Sequence, residues 1–261
     1  MKKTIALLLV LALGLTLFTA CSSSSGSDLK YIQDKGKMVV GITDYAPMDY
    51  MDENGEWTGF DAEFAQMVCK ELNVECEFFV LADWGKKFYE LETKNIDAIW
   101  NGMTITEEVK LNTNCSDPYV VNAQVLVMKA DVVGNYTDVA ALSALTFAVE
   151  NGSAGQAALV DSGIAESQII AVQDQAAALM EVAAGTSDAC VIDITMANAM
   201  TGEGTSYADL ASGISLTSEE YGVAFRKESD LTAKFNDFMD KLIADGTLQE
   251  LADKYELTLA G

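Results

Sequence analysis

The spacing of apolar and polar side chains divides the chain into two unlike parts. Ile5 to Phe18 is an apolar run of about fourteen residues, short of the ~20 a helix needs to span a bilayer, with Met1-Lys2-Lys3 before it and Thr19-Ala20-Cys21 after it. A basic start, a short apolar core and a small residue before the cut describe an export signal over residues 1–20. Ser22 to Ser27 is a Ser/Gly run that reads as a flexible tether. From Lys37 onward short apolar runs alternate with amphipathic stretches. Met38–Ile42 reads as a buried strand, and Phe60, Phe64, Met67, Val68 and Leu72 recur at helical spacing. Glu75–Val80 is a strand, Trp84–Leu91 a helix with Phe88 and Leu91 inward, and Ile96–Trp100 a strand again. The order recurs in Thr146–Glu150, Ser153–Val160, Ile169–Val172, Gln175–Ala184 and Asp188–Asp193. Asp230–Ala244 and Thr247–Tyr255 read as closing helices. Asp245-Gly246 forms the stop between them, and Thr247 with Glu250 a capping box. This alternation predicts an α/β protein of two lobes, each a mainly parallel sheet flanked by helices. Such lobes bind ligands in the crevice between them, at the carboxyl ends of strands.

Composition narrows the function. The chain has 16 Lys and Arg against 40 Asp and Glu, a net charge of −24. Lys2 and Lys3 leave with the signal, so the exported part carries 14 bases against 40 acids, or −26. That balance excludes nucleic acid as a partner, because phosphate binding draws on clustered cations. Removing 20 of 261 residues leaves 241, enough to bury a core without disulfides or metals. Beyond Cys21 the cysteines are Cys69, Cys76, Cys115 and Cys190. With no histidine and no CxxC pair they suggest no zinc site, and buried free thiols are the expectation. No cofactor is implied. Arg226 is the only arginine.

Leu17-Phe18-Thr19-Ala20-Cys21 resembles a lipobox, with Phe18 where Leu is usual; the resemblance implies that Cys21 is acylated (palmitate or a similar chain) and becomes the mature N-terminus. A second resemblance covers most of the rest. Asp52-Glu53-Asn54-Gly55-Glu56-Trp57-Thr58-Gly59-Phe60-Asp61, Leu91–Asp97 followed by Asn101-Gly102-Met103-Thr104-Ile105-Thr106, and Ser116-Asp117-Pro118-Tyr119 are similar to segments of the polar amino-acid family of periplasmic-type solute-binding proteins. Asp188–Asp193, Tyr221–Lys227 and Ala244–Leu248 match further segments of it. The family resemblance implies the type II periplasmic-binding-protein fold, with two hinge crossings near Tyr119–Gln124 and Thr217–Tyr221. It places lobe 1 at residues 37–120 plus 221–261, lobe 2 at 121–220, and an anchored tether at 21–36. It also implies a monomer outside the cytoplasm, held at the cell membrane by lipid alone, that closes on a small polar ligand by hinge motion. Its further partners would be the permease and ATPase subunits of an ABC importer.

The same resemblance nominates the site. Trp84 matches an aromatic that stacks on ligand, and Tyr45 falls where relatives put a second aromatic. Asn101 belongs to the signature segment, and Gly102 and Thr104 match positions whose backbone and hydroxyl touch the ligand. Ser153 and Ala154 open a helix whose first N–H groups suit an anion, although Ser153 is equally an ordinary N-cap. Asp193 matches a carboxylate that takes the ligand's α-ammonium. One departure stands out: Val109 occupies the position where relatives carry an arginine that clamps the α-carboxylate. Lys110 is adjacent but projects about 100° away on a helix. Asp44 and Asp49 near Tyr45, and Glu150 where some relatives have lysine at the pocket edge, tilt the expected ligand toward a cation. Two alternatives share this fold, a sensory or adhesive lipoprotein and a dehydratase-type enzyme. Without histidine only carboxylates could serve as acid or base in the latter.

Overall fold

A computed structural model describes residues 27–261, so the export signal and Cys21 lie outside the described residues. The first element was not foreseen. Residues 28–35, read as tether, form helix α1 (Asp28–Lys35), capped by the Ser27 hydroxyl accepting the Lys30 N–H at 3.0 Å. What fixes it is distant in sequence: Arg226 donates through Nε to both Asp28 carboxylate oxygens at 3.0 Å.

Strand β1 (Lys37–Ile42) is buried along all but its first residue, as a central strand must be. It pairs in parallel with β4 (Glu75–Val80), Lys37 facing Glu75 and Ile42 facing Val80, and on its other side with β5 (Ala98–Ile99). Between them lie a small hairpin of β2 (Tyr50–Met51) and β3 (Trp57–Thr58), and helix α2 (Phe60–Leu72). Helix α2 turns Phe60, Phe64, Val68 and Leu72 inward at the expected spacing. Its start requires glycine: Gly59 has φ +115°, and a Cβ there would sit 2.2 Å from the Met48 carbonyl oxygen. The helix expected at Trp84–Leu91 divides into a 3₁₀ turn (Trp84–Lys86) and α3 (Lys87–Glu92). Asp83 caps the turn by accepting the Gly85 N–H at 3.0 Å. Helix α4 (Glu107–Asn112) and β6 (Asn114–Cys115) follow.

The chain then leaves along β7 (Val120–Asn122) into a second sheet of β8 (Gln124–Lys129), β9 (Phe147–Glu150), β10 (Ile169–Val172), β11 (Ala189–Asp193) and β12 (Leu210–Ser215). Helices α5 (Ala154–Asp161), α6 (Gln175–Ala184) and α7 (Ile194–Met200) connect them. In space the order is β10-β9-β11-β8-β12, with β9, β10 and β11 parallel, and β8 and β12 antiparallel. The chain returns along β13 (Glu219–Tyr221), which pairs antiparallel with β7, Glu219 facing Asn122 and Tyr221 facing Val120. This two-stranded ribbon is the double crossing between lobes. Strand β14 (Ala224–Phe225) then joins the first sheet, giving the order β4-β1-β5-β14-β6.

Helices α8 (Leu231–Ala244) and α9 (Thr247–Lys254) pack on the first lobe. Phe235 of α8 meets Phe64 and Trp100 at ring distances of 5.4 and 5.2 Å, and Phe64 meets Trp100 edge-on at 5.0 Å. Each such buried ring contributes about 1.5–3 kcal/mol. Gly246 takes the left-handed φ of 85° between the two helices, as a stop requires. The capping box expected from Thr247 and Glu250 does not form. Thr247 is already helical and has no capping role; its N–H donates to the Asp245 carboxylate at 3.0 Å. Of the four thiols, Cys69 and Cys190 are buried, while Cys76 and Cys115 are half-buried, and all four are free.

Candidate functional site

The ends of β5, β9 and β11 point at one another across the gap between the two sheets. A cavity of about 120 Å³ lies there. Seven of the eight residues nominated from sequence line it: Trp84, Asn101, Gly102, Thr104, Ser153, Ala154 and Asp193. Val109 also lines it, so the wall opposite the second lobe is apolar where a cationic clamp was looked for. A cavity that held benzene measures ~150 Å³, so the space is on the scale of a small-molecule site.

Tyr45 is the exception and does not line the cavity. It lies outside the lining, 1% exposed, with its hydroxyl bonded to Thr195 Oγ1 and Tyr221 Oη at 2.5 Å each. Its ring backs Gly102. A Cβ on Gly102, which has φ +54°, would come within 2.5 Å of Tyr45 Cε1. Tyr45 thus props the signature loop from behind. The loop is held from below as well, by the Gly102 N–H donating to Asp61 Oδ2 at 2.6 Å. Asn101 is spent on structure, donating to Thr43 Oγ1 at 2.7 Å and accepting the Thr43 N–H at 2.8 Å. Thr104 donates to Glu219 Oε1 at 2.7 Å, and the cap of α4 is Thr106, whose hydroxyl accepts the Val109 N–H at 3.1 Å. Ser153 caps α5 by accepting the Gln156 N–H at 3.2 Å.

Asp193 ends β11 but caps nothing. Its Oδ1 accepts from Asn122 and from Gln124 Nε2 (2.6 Å for the latter), its Oδ2 accepts from Gln175, and its N–H donates to Gln175 Oε1 at 2.9 Å. Burial pushes its carboxyl up to about 6, with Glu219 adding to the effect and the Gln175 and Asn122 amides opposing it. Glu150, at the end of β9, is 3% exposed, and its Oε1 has no partner in the protein. Burial first, and the charges of Asp193 and Asp174 second, raise it well above the ordinary carboxylate range.

Sequence reasoning missed Lys87. It is 4% exposed, lines the cavity, and donates to the Gly152 carbonyl of the second lobe at 2.9 Å and to the Trp84 carbonyl at 3.4 Å. Its ammonium lies 5.0 Å from the Trp84 ring centre and 4.8 Å from that of Phe88. Burial lowers its pKa, against the pull of Glu108, Glu150 and Asp83. The one sequence signal was its position three residues after Trp84, on the same helical face. Gln124 and Gln175 were missed too, because nothing local marks a buried amide as an acid's partner.

Lys87–Gly152 is one of the links that close the cleft. Asn151 Nδ2 donates to Asp83 Oδ1 at 3.0 Å, and Tyr45 meets Thr195. The result is a chamber of mixed polar and apolar lining between two lobes joined by a two-strand hinge. Residues 38–258 match the family model of bacterial extracellular solute-binding proteins, family 3. The chain belongs to that family. It is 30% identical over 224 residues to the L-arginine-binding protein of Pseudomonas aeruginosa, covering 81% of this chain and 84% of the relative. It is 27% identical over 229 residues to the L-cystine-binding protein TcyJ of Escherichia coli strain K12, covering 87% and 85% respectively. Among solved structures, a mutant of ArgBP from T. maritima superposes with a TM-score of 0.80 at 32% identity, over 87% of this chain and 98% of that one. These relatives are binding proteins by name. Type II architecture and an extracellular solute-binding role are therefore properties of this family member, and the dehydratase alternative finds no counterpart among these three.

Proposed function

We propose that this protein is the substrate receptor of an ABC importer for an amino acid or a closely related polar metabolite. The observation that carries the reading is the chamber itself, sealed between the two sheets by Lys87–Gly152 and lined by Trp84, Thr104, Ser153 and Asp193. Trp84 offers a flat face for stacking, Asp193 a carboxylate for an ammonium, and the α5 start a set of N–H donors for a carboxylate. Lys87, standing near Val109, takes the role of carboxylate partner that no arginine fills. A lysine is a point charge and not a fork, so the carboxylate is held with less directionality than in an arginine clamp.

The lobe limits proposed are residues 37–120 with 221–261, and 121–220, with α1 added to the first lobe. Cys21 is proposed as the lipid attachment point, so that residues 22–26 hold the domain beside its permease and ATPase. Among the described residues no helix is long and apolar enough to cross a membrane.

The test is a calorimetric and thermal-shift titration against the proteinogenic amino acids, ornithine and polyamines. A true ligand raises the melting temperature by an amount that grows with the logarithm of its concentration over Kd. Replacing Lys87 with Met should weaken an α-amino-acid ligand about 30- to 100-fold, the worth of one charged hydrogen bond in a buried site. The apo melting temperature should hold or rise. Undiminished affinity in K87M would remove Lys87 from the site.

A further inference from the structure

The two buried acids of the chamber are not equivalent. Asp193 already accepts from three amides, two on Oδ1 and one on Oδ2. Glu150 is as deeply buried, faces the same cavity, and has an Oε1 that accepts nothing. Lys87 does not answer it, since that ammonium is turned to the Gly152 and Trp84 carbonyls and forms no ion pair. The lining as a whole holds one cation, Lys87, against three acids, Glu108, Glu150 and Asp193.

We infer that Glu150 is the specificity-determining residue of the chamber, taking a positively charged group at the side-chain end of the ligand and selecting it over a neutral isostere. The inference rests on the amino-acid reading above and narrows it to ligands with a second cationic centre. Buried polar atoms are nearly always paired, so an orphan oxygen aimed into a cavity marks where a donor belongs. A buried carboxylate is stable only beside a cation. The groups facing Glu150 are Asp193 at the end of β11, Asp174 before α6 and Lys87 on α3. Burial and the two acids disfavour its ionisation and the lysine favours it. A cation on Oε1 shifts that balance toward the carboxylate paired with the ligand, and the proton displaced from the neutral acid passes to the solvent. The division of labour follows. Asp193 and its amides fix the α-ammonium, Lys87 the carboxylate, and Glu150 reads the far end.

The experiment is isothermal titration of the full chain with two isosteric pairs, L-arginine with L-citrulline and L-lysine with L-2-aminoheptanoic acid. Wild type should prefer at least one cationic member by about 100-fold over its neutral partner. E150Q should cut that preference to about threefold or less, chiefly by weakening the cationic member. E150L provides the same test should the glutamine disturb folding. Titration in two buffers of different ionisation enthalpy should show a proton released with the cationic ligand in wild type and none in E150Q. Equal affinity for the neutral isosteres, or a preference that survives in both variants, would overturn the assignment. A neutral amino acid that binds wild type as tightly as its cationic counterpart would leave the receptor reading standing and defeat only Glu150's role. Silence toward every amino acid would defeat both.

Discussion

Arg226 and Lys87 are both buried cations, and their surroundings differ in one respect. Arg226 donates to Asp28 through Nε, to Asp97 through Nη2 at 3.1 Å and to the Ile96 carbonyl through Nη1 at 2.8 Å. Asp97 is completed by Lys35 at 2.5 Å and by the Val39 N–H at 2.8 Å. Every charge in that network meets its opposite inside the protein. Lys87 meets only carbonyls and aromatic faces, and Glu150 near it lacks a partner on one oxygen. Charge that the fold neutralises by itself is architecture. Charge left without a counter-ion in a chamber is a binding capacity.

The sharpest way to break this comparison is to remove Arg226. R226M strands Asp28 and part of Asp97, and losing one member of a buried ion pair costs about 3–5 kcal/mol. The urea midpoint should fall accordingly, while the folded fraction binds ligand as wild type does. R226K should recover little, because a lysine cannot make the guanidinium's several directed bonds. A variant as stable as wild type would show that the network is not what holds α1 on the lobe.

The next effect comes from a third set of buried charges, beneath the signature loop. Asp61 accepts from the Gly102 N–H and from the Tyr119 hydroxyl at 2.9 Å, yet burial pushes its carboxyl up to about 7. Asp49, with neither oxygen partnered, is raised well above the ordinary range by burial and by Asp61. Folding therefore takes up protons where an unfolded aspartate has lost them. The stability this confers is full below the ordinary carboxylate pKa and is lost as pH rises through about 7. Asp61 alone should make the apo protein less stable by about 3 kcal/mol at about pH 8 than at about pH 5, opposite to ordinary acid denaturation. D61N should flatten that slope. An unchanged slope would place the titration elsewhere, with Asp193 as the next group to test.

How much of this could be read from the sequence depended on the distance over which each feature is decided. The β-α alternation and the two lobes follow from local periodicity and stand in the structure, whereas the crossings near Tyr119–Gln124 and Thr217–Tyr221 came only with the family resemblance, and β7 and β13 pair there. Helix α1 did not show itself, because its anchor, Arg226, lies 198 residues away from Asp28. Lys87 carries no local mark that separates it from Lys86. Only the approach of Gly152 from the other lobe buries one and leaves the other exposed. Tyr45 was taken for a ligand contact since its loop does reach the cleft, but the lack of a Cβ on Gly102 lets the ring slide beneath that loop and out of the chamber. The three amides that donate to Asp193 could not be read from its neighbourhood in sequence, because Asn122, Gln124 and Gln175 lie on other strands and on a helix.

The smallest effect concerns the latch itself. Tyr45 bridges the lobes through its bond to Thr195, and the same hydroxyl touches Tyr221 of the hinge ribbon. Y45F keeps the ring that supports Gly102 and deletes the hydroxyl's bonds to Thr195 and Tyr221. A net hydrogen bond is worth about 1 kcal/mol, so closure should become less favourable by about that amount. Apparent ligand affinity should fall about fivefold through the lost closed population, with no change in which ligand is preferred. T195V, deleting the partner, should cost about the same, and the double variant should cost much less than the sum if one bond is being broken. Changed preference between cationic and neutral ligands in Y45F would return Tyr45 to the binding surface, whereas a uniform loss across ligands identifies it as part of the closing mechanism.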